Sequence, residues 1–564
     1  MGSTNTAVLI VGAGPTGLTL AIELALHGVP FRIVDREAAR PAVESRALGT
    51  FARSQEIFER IGALDRMYYE GTPIEGFQFH WNGKMLTRVS LHGANSSYPL
   101  GFMINQAETE RHLIERLAEL GHQVERFRTL DAFTDHGDRI ACNIVDAKGK
   151  TEIVDAVYLA ACDGGRSGIR RQLGLSFDGL KMQGEYLIDC DVEWRNGRFP
   201  PYGVGQSFLS TTSMIAMVPL PRGSWRVIVS FKDQDDPRMK PEGPTLEVMQ
   251  KLLDEIPGLD VTLSNVTWAS SFYIANRRVE QLRHGRVFLM GDAAHIHSPV
   301  GGQGMNTGIA DASNLGWKLA HVLKGAAPDK LLDSYDAERM PVIKDLLTGT
   351  GIGEKVLLTR NPFFARVRNV VILVGVKLGA MQKQFQTLLS GYRSYPDSPL
   401  NLDAYDADPG FGSIFGGIPK FSKGPKPGML APDVHGLTLS GEHRWRRLNE
   451  LFALNPAKHH LLIFGGPFVS PERYAELQQE VIRIRETSGD WIEPYVISVP
   501  IISGKGMLFD RMSDAHIAYG ARRECLYFIR PDGYISLRSR PVDFALLLKY
   551  LQRHYPGMSG VEAE

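Results

Sequence analysis

The chain has 564 residues, of which 43% are hydrophobic and 22% are charged. This length predicts about three to four domains, and the apolar content excludes a globally disordered chain. The 63 basic and 63 acidic side chains balance, which argues against nucleic acid as the main partner. The 4 cysteines form no CxxC pair, so we predict no zinc ribbon or dithiol site and expect a reducing compartment.

The N-terminal segment has no basic stretch ahead of its apolar run, so we expect that it is not a signal peptide. The most apolar stretch near a helix, 370–376, is far shorter than the ~20 residues that a membrane span needs. We therefore expect a cytoplasmic protein that has no membrane partner.

The first elements form a predicted βαβ unit. Residues 6–11 are a continuous apolar run that is typical of a strand buried on both faces. A segment with helical spacing of apolar residues follows and ends at Gly28, and 30–35 form the second strand.

The sequence GAGPTG lies between the first strand and the helix. Gly12 permits the tight turn, Gly14 lets the backbone approach a pyrophosphate, and Gly17 permits close packing of helix on strand. The helix N-terminus then offers free N–H groups to an anion. Asp35 closes the second strand, where a carboxylate accepts hydrogen bonds from a ribose. The unit therefore predicts a dinucleotide site.

Two further loops follow predicted buried strands. The first is DGxxSxxR, in which Asp163 and Gly164 begin the loop and Arg170 ends it. The second begins at Gly291-Asp292 and continues into the glycine-rich run 301–304 ahead of a helix. Bare amides at such a place can hydrogen-bond an isoalloxazine carbonyl and stabilise charge on the reduced ring.

The residue pattern of the chain changes twice along the sequence. Residues 178–285 contain alternating segments that predict antiparallel strands with one solvated face, and 305–395 are rich in helix signals. Residues 396–427 are rich in Pro, Gly and Asp and read as a linker. Beyond them, strands and helices indicate a small α/β domain in which RPDG (530–533) is a hairpin turn.

Together, GAGPTG, ACDGGRSGIRR and GDAAHIHSPVGGQGMN resemble the fingerprints of the FAD-dependent aromatic hydroxylases. The later pieces SYDAERMPV, GMLAPD and RPDGYISLR resemble the phenol-hydroxylase and polyketide-hydroxylase branch of that family. The resemblance implies an α/β fold with a Rossmann-like FAD-binding domain, an interleaved antiparallel substrate sheet and a C-terminal thioredoxin-like domain. The implied division is FAD-binding domain 1–177, substrate sheet 178–285, FAD-binding domain and helices 286–395, linker 396–427 and thioredoxin-like domain 428–564.

The resemblance also assigns roles to single residues. Asp35 would bind the adenosine ribose, Arg46 the phosphate side of FAD, Gln106 the ribityl chain, and Asp163 both FAD and a reduced pyridine nucleotide. The full set implied for the cofactor is Gly12, Gly14, Pro15, Thr16, Gly17, Asp35, Arg36, Arg46, Gln106, Asp163, Gly164, Arg170, Asp292, Pro299, Gly304, Met305 and Asn306.

The implied reaction is a hydroxylation. NADPH or NADH delivers hydride to FAD, the reduced flavin and O2 form a C4a-hydroperoxide, and an electron-rich ring attacks its distal oxygen. The protein supplies orientation, electrostatics and a dry pocket. The chain has no second GxGxxG, in keeping with a family that binds the pyridine nucleotide transiently.

Activation of the phenol is where the sequence departs from this family. Leu48 stands where an acidic or basic side chain is expected, and Ile228 stands where a tyrosine is expected. The remaining candidates near the reacting ring are Arg226, Tyr273, His297 and Pro299. The departure favours a larger, already acidic substrate such as a polyphenol or a polyketide-like aromatic.

Other interpretations stay open. The same flavin platform supports Baeyer–Villiger insertion, or flavin binding without turnover. A halogenase is disfavoured because no WxWxIP motif occurs, and a plain NAD-dependent dehydrogenase needs neither later loop. We predict no metal site at His295 and His297, which lack a third ligand in range, and the extra domain favours a homodimer.

Overall fold

The computed structural model describes residues 4–558 apart from a set of internal gaps. Those gaps are 40–46, 93–95, 196, 198, 211–212, 232–235, 237, 240–242, 298–301, 358–361, 378, 380–381, 383–385, 388–389, 406–418, 468, 500–503 and 505. The described residues form a mixed α/β fold with three eight-stranded sheets and one three-stranded sheet. Among them, no helix is both long and apolar enough to cross a membrane.

The first part of the chain builds most of one sheet and the helices that cover it. Its elements are β1 Thr4–Val11, α1 Pro15–Leu26, β2 Phe31–Asp35, β3 Gly49–Thr50, α2 Ala52–Arg60, α3 Leu64–Glu70, β4 Thr72–Ile74, β5 Gly76–Trp81, β6 Lys84–Ser90, β7 Gly101–Met103, α4 Gln106–Glu119, β8 Glu125–Arg126, β9 Arg128–Asp135, β10 Ile140–Asp146, β11 Thr151–Ala161 and α5 Gly168–Gln172.

The middle of the chain builds a second sheet and returns to the first. Its elements are β12 Asp178–Trp194, β13 Val204–Leu209, β14 Ser213–Pro219, β15 Trp225–Phe231, α6 Leu246–Asp254, β16 Val261–Arg278, β17 Arg283–His284, β18 Val287–Leu289, β19 His295–Ile296, α7 Gln303–Leu323, α8 Asp333–Leu357 and α9 Pro362–Lys377.

The C-terminal part forms the third large sheet and its helices. Its elements are β20 Leu402–Tyr405, β21 Leu437–Leu439, β22 Trp445–Arg446, α10 Leu448–Leu454, β23 His459–Phe464, α11 Pro471–Ser488, β24 Ile492–Ser498, β25 Met507–Asp510, α12 Asp514–Tyr519, β26 Cys525–Ile529, β27 Ile535–Arg540 and α13 Phe544–His554.

The first sheet confirms the predicted βαβ unit. Its order is β17-β18-β11-β1-β2-β8, and β1 runs parallel to both β2 and β11 while β11 runs parallel to β18. Val8, Leu9 and Ile10 are fully buried, as expected of a strand covered on both faces. Because β1, β11 and β18 point the same way, the three loops predicted to carry chemistry leave the same edge of the sheet.

The second sheet has the order β19-β16-β12-β15-β14-β13-β5-β6. Its antiparallel core matches the prediction for 178–285, but β5 and β6 come from much earlier in the chain. They join because β5 pairs in parallel with β13, from Val204 opposite Gly76 to Leu209 opposite Trp81. A parallel pairing between distant segments leaves no local turn signal, so the sequence does not reveal it.

One face of the second sheet packs on α6. Tyr186, Ile188, Val227 and Val229 form an apolar cluster with Met249 of α6. Side chains alternate along a strand, so the neighbouring residues of β12 and β15 point to the opposite face.

The third sheet has the order β20-β27-β26-β23-β24-β25-β21-β22. The RPDG turn joins β26 and β27 as the predicted antiparallel hairpin, with Gly533 at φ +82°. Part of the predicted linker differs from expectation, because β20 pairs in parallel with β27, while residues 406–418 lie outside the described residues. The alternating sequence LDAY extends an otherwise open sheet edge.

The tail motifs hold the C-terminal part against the rest of the chain. Arg530, from RPDG, donates to the Glu338 carboxylate of SYDAERMPV through two nitrogens, at 2.5 and 3.0 Å. Lys318 of α7 reaches the same carboxylate at 2.8 Å, and Arg53 of α2 donates to the Asp532 carbonyl at 2.6 Å. These groups are buried, and removing one partner of such a pair typically costs about 3–5 kcal/mol.

Candidate functional site

The three predicted loops meet at contacts that only glycine allows. A Cβ atom added to Gly12 would lie 2.2 Å from the carbonyl oxygen of Cys162, just after β11. A Cβ atom added to Gly291 or Gly308 would lie 2.7 or 2.2 Å from the Thr16 hydroxyl oxygen. The GxGxxG loop therefore packs directly against two other loops. One begins at Asp163-Gly164 (the DG loop), and the other begins at Gly291-Asp292 (the GD loop).

The GxGxxG turn is pinned by the acid at the end of β2. The Ala13 amide donates to the Asp35 carboxylate at 2.6 Å, and Gly12 has φ +104°. Gly14 caps α1 and Pro15 is its first residue. A Cβ atom added to Gly14 would meet only the Glu110 carboxylate, at 4.0 Å. The N-terminus of α1 is thus open to an anion such as a pyrophosphate.

The DG loop has one unmet polar atom and one tie to the GD loop. One Asp163 oxygen accepts from the Gly168 amide at 2.7 Å, whereas Oδ1 is buried without a hydrogen-bond partner among the described residues. Arg170 donates to the carbonyls of Gly165 and Ala293, each at 2.8 Å. A buried carboxylate oxygen without a donor fits a site that receives a hydroxyl-bearing cofactor.

Asp311 of α7 fixes the GD loop and was missed by the sequence reasoning. Its carboxylate accepts from the Gly291 amide at 3.1 Å, His295 Nε2 at 2.8 Å and Arg339 Nε at 2.7 Å. Burial alone would raise the pKa of Asp311, but Arg339 and His295 outweigh burial and hold it below its ordinary value. The available signal was the acid within an apolar helix, since buried acids need partners.

The segment after Arg46 is held against the start of α7. The Asn306 side chain accepts from the Phe51 amide at 3.1 Å and donates to the Gly49 carbonyl at 2.8 Å. The Gln106 side chain accepts from the Ala47 amide at 3.3 Å. Asn306 and Gln106 therefore place the backbone of 47–51 beside the glycine-rich loop.

The remaining predicted cofactor residues are placed as follows. The His297 ring lies beside Gly304, with its Cε1 atom 3.8 Å from where a Cβ atom would be. Gly164 has φ +79° with open space around it, and Met305 packs against the core of the first sheet. Arg36, paired with Glu37, and Asp292 are exposed, and Arg46 and Pro299 lie outside the described residues.

These loops fit FAD. The three loops form a cradle whose glycine contacts leave the backbone at its surface. The N-terminus of α1 is open, and Asp163 Oδ1 has no hydrogen-bond donor among the described residues. All three features lie on loops that follow parallel strands of one sheet, which is where α/β folds bind dinucleotides.

Arg226 lies on the face of the second sheet opposite α6. Its Nε and Nη2 atoms donate to Asp189 at 2.6 and 2.7 Å, and its guanidinium carbon lies 4.6 Å from the centre of the Trp268 ring. Arg226 and Asp189 are both buried. The carboxylate thus neutralises the cation that the sequence offered for stabilising a phenolate.

Glu185 lies on the same face and was also missed. Glu185 of β12 is opposite Ser230 of β15, just as Asp189 is opposite Arg226. The Ser230 hydroxyl donates to the Glu185 carboxylate at 2.5 Å, and both side chains are at most 2% exposed. The spacing of the two acids in EYLID was the signal, because residues an even number of positions apart lie on the same face of a strand.

Tyr273 is not brought to this face. It lies opposite Gly184 in the pairing of β12 with β16, whereas Glu185 lies opposite Phe272. Its side chain is 45% exposed. Because neighbouring residues of a strand point to opposite faces, Tyr273 and Glu185 are separated by the sheet.

The face that carries Arg226 and Glu185 is walled by apolar groups. Val218, next to Arg226, packs with Leu48 and Phe51. Met214, next to Ser230, packs in a cluster that includes Val376 of α9. The sheet, the 48–51 segment and α9 therefore enclose a face with a few polar groups in an apolar surround, as in pockets for small ligands.

Comparison with known proteins agrees with this geometry. Residues 5–350 match the model of a protein family described as FAD binding domain. The chain is 35% identical over 423 residues to 6-methylpretetramide 4-monooxygenase of Streptomyces rimosus, covering 72% of each protein. It is 38% identical over 357 residues to rifampicin monooxygenase of Rhodococcus hoagii, covering 62% of this chain and 71% of that one.

Solved structures share the whole fold. OxyS anhydrotetracycline hydroxylase from Streptomyces rimosus is 27% identical, with a TM-score of 0.73 over 99% of this chain and 100% of that chain. The aromatic hydroxylase CabE from angucycline biosynthesis is also 27% identical, with a TM-score of 0.72 over 99% of each chain.

Proposed function

The chain belongs to the FAD-dependent aromatic hydroxylases, a family of monooxygenases, and on that premise we propose that it hydroxylates a polycyclic phenol with NADPH or NADH and O2. The observation that carries the proposal is the packing of Gly12 on Cys162 and of Thr16 on Gly291, which joins the three loops into one cradle. When bound, FAD supplies the redox chemistry, accepting hydride and activating O2 at its C4a atom.

The protein's own residues bind and orient the cofactor in this proposal. Gly12, Gly14 and the N-terminus of α1 take the pyrophosphate, and Asp35 takes the ribose. Asp163 receives a cofactor hydroxyl at Oδ1, and the start of α7 takes the pyrimidine edge. Arg46, Gln106, Asp292 and Pro299 keep the roles that the resemblance implies.

We propose that Glu185 accepts the proton of the substrate hydroxyl. A carboxylate that is buried and oriented by Ser230 is held for proton transfer, and it needs no help from position 48 or 228. Arg226 and Asp189 then position the ring rather than ionise it. His297 stays a candidate beside the flavin, whereas Tyr273 lies across the sheet.

The substrate class follows from the enclosure. Leu48, Phe51, Met214, Val218 and Val376 offer a broad apolar wall with few polar groups, which favours a multi-ring aromatic over phenol. The relatives' names point the same way, since one acts on 6-methylpretetramide.

We also propose the domain division given above, with residues 428–564 as a thioredoxin-like domain. It is supported by β23, which runs parallel to β24 and antiparallel to β26. Cys525 is buried and free, so the domain has no exposed dithiol and its role is to pack on the FAD-binding part. A homodimer stays a prediction.

The test is a substrate screen on the purified, flavin-loaded protein. NADPH and NADH consumption is followed with phenol and with tetracyclic and naphthoquinoid phenols, and products are examined by mass and by NMR. A product that gains one oxygen as a ring hydroxyl supports the proposal. Insertion of that oxygen as an ester, or oxidation of NADPH that no aromatic accelerates, contradicts it.

A further inference from the structure

A small cavity of about 20 Å³ lies behind the cofactor loops, between α2, α7, α8 and residues 390–393. Three arginines line it, Arg53, Arg339 and Arg393, together with Ser54. None of these four residues belongs to the predicted FAD or substrate machinery.

Two of the three arginines have carboxylate partners that are shared. Arg339 donates to Asp311 at 2.7 Å, but that carboxylate also serves His295 and the GD loop. Arg53 reaches Glu56 at 3.3 Å, and burial raises the pKa of Glu56 despite the nearby Arg53. The positive charge on the wall is therefore only partly balanced.

Arg393 has no ion-pair partner within the part of the chain that the structure describes. Its Nη1 atom donates only to the carbonyls of Thr387 and Tyr392, at 3.0 and 2.9 Å. The side chain is half-buried, and this burial lowers the pKa of Arg393. A partly desolvated cation whose side-chain hydrogen bonds go to carbonyls, with no carboxylate of the described residues in direct contact, favours capture of a counter-anion.

Ser54 supplies an independent sign of a missing acceptor. The residue is 1% exposed, and its hydroxyl oxygen has no hydrogen-bond partner among the described residues. A buried hydroxyl left unsatisfied costs about 1–3 kcal/mol. An anion in the cavity would accept a hydrogen bond from this hydroxyl.

We propose that this cavity binds a small monovalent anion, such as a halide, between the guanidinium groups of Arg53 and Arg393 and the Ser54 hydroxyl. The anion would balance the charge of the wall. It would also tie α2 and α8 to the segment that leads into the C-terminal domain. The volume fits a single halide ion in the place of one water, since about 10–15 Å³ is enough to hold a water.

The test measures binding on the flavin-loaded protein without turnover, so it does not depend on the proposed reaction. Thermal unfolding is followed by tryptophan fluorescence in increasing sodium bromide, with sodium gluconate, too bulky for the cavity, at matched ionic strength. We expect the wild-type Tm to rise by roughly 1–2 °C for each tenfold increase of bromide above its Kd. Crystals in bromide should show an anomalous peak between Arg53 and Arg393.

Variants locate the effect. R393Q should lose the bromide-specific rise, R393K should keep part of it, and R366Q, which changes an exposed arginine of α9, should keep all of it. S54A removes one hydroxyl and decides the matter if R393Q fails to fold, because it should raise the bromide Kd several-fold. Equal responses to bromide and gluconate in the wild type, or a full response in S54A and R393Q, would overturn the proposal.

Discussion

The cofactor cradle and the substrate face are built from different parts of the polypeptide, the first from backbone and the second from side chains. The cradle is made of backbone, and its decisive positions are glycines whose absent side chains let β1, β11 and α7 approach closely. The substrate face is made of side chains, with Glu185 and Arg226 set by the register of β12 on β15. Local motifs therefore predict the cradle, whereas only long-range pairing determines the chemistry opposite it.

Replacing Glu185 by Gln tests the substrate face without changing the cofactor cradle. The amide keeps the shape and the bond to Ser230 but cannot take a proton, so we expect kcat to fall about 10³-fold, roughly 4 kcal/mol. Flavin content, read from the visible absorbance, should not change. The remaining rate should rise with pH as the substrate ionises by itself.

A rate within threefold of wild type would show that the substrate ionises without Glu185. If kcat/KM of E185Q fell by the same factor at every pH because KM alone increased, Glu185 would have a positioning role instead. The first result would remove the need for Glu185 as a base, and the second would assign the acid–base chemistry to another group.

Replacing Asp311 by Asn tests a side chain that holds the GD loop of the cradle in place. The change leaves Arg339 and His295 buried without their carboxylate, so we expect the free energy of unfolding to fall by about 3 kcal/mol, measured by urea unfolding. The matched variant D138N removes an exposed carboxylate, 74% exposed, and should change stability by less than about 0.5 kcal/mol. Equal stabilities for the two variants would contradict the role of Asp311.

The low pKa of Asp311 adds a pH dependence with a defined sign. A carboxylate whose folded pKa is depressed stabilises the protein above its unfolded pKa of about 4, and this is lost as the pH falls further. The stability gap between wild type and D311N should therefore be constant near neutral pH and narrow in acid.

Replacing Gly14 by Ala separates the cradle from the protein that surrounds it. The added Cβ atom would meet no protein atom closer than 4.0 Å, so the apoprotein should keep its Tm. A bound pyrophosphate needs that space, and we expect the FAD Kd to rise at least about tenfold, or 1.4 kcal/mol. G349A, which adds a methyl in open space on α8, is the control and should leave the Kd unchanged.

The same comparison explains which features the sequence predicts and which it does not. The βαβ unit, the RPDG hairpin and the three loops were predicted because each depends on residues close in the chain. The joining of β5 to β13 and the strand β20 were not, since each depends on a partner more than a hundred residues away. The role of Asp311 depends on its contacts with the GD loop and Arg339, and that of Glu185 depends on strand pairing. Tyr273 was proposed without knowledge of strand parity, which places it across the sheet.

Replacing Tyr273 by Phe has the smallest expected effect, and it tests most directly on which face of the sheet Tyr273 lies. If Tyr273 points away from Glu185, as its pairing with Gly184 requires, loss of its hydroxyl should change kcat/KM less than twofold, or about 0.4 kcal/mol. S230A, on the enclosed face, should reduce kcat several-fold because the Glu185 carboxylate loses the hydrogen bond from Ser230. If Y273F were the more damaged of the two, β16 would be shifted by one residue against β12 and Tyr273 would lie on the enclosed face.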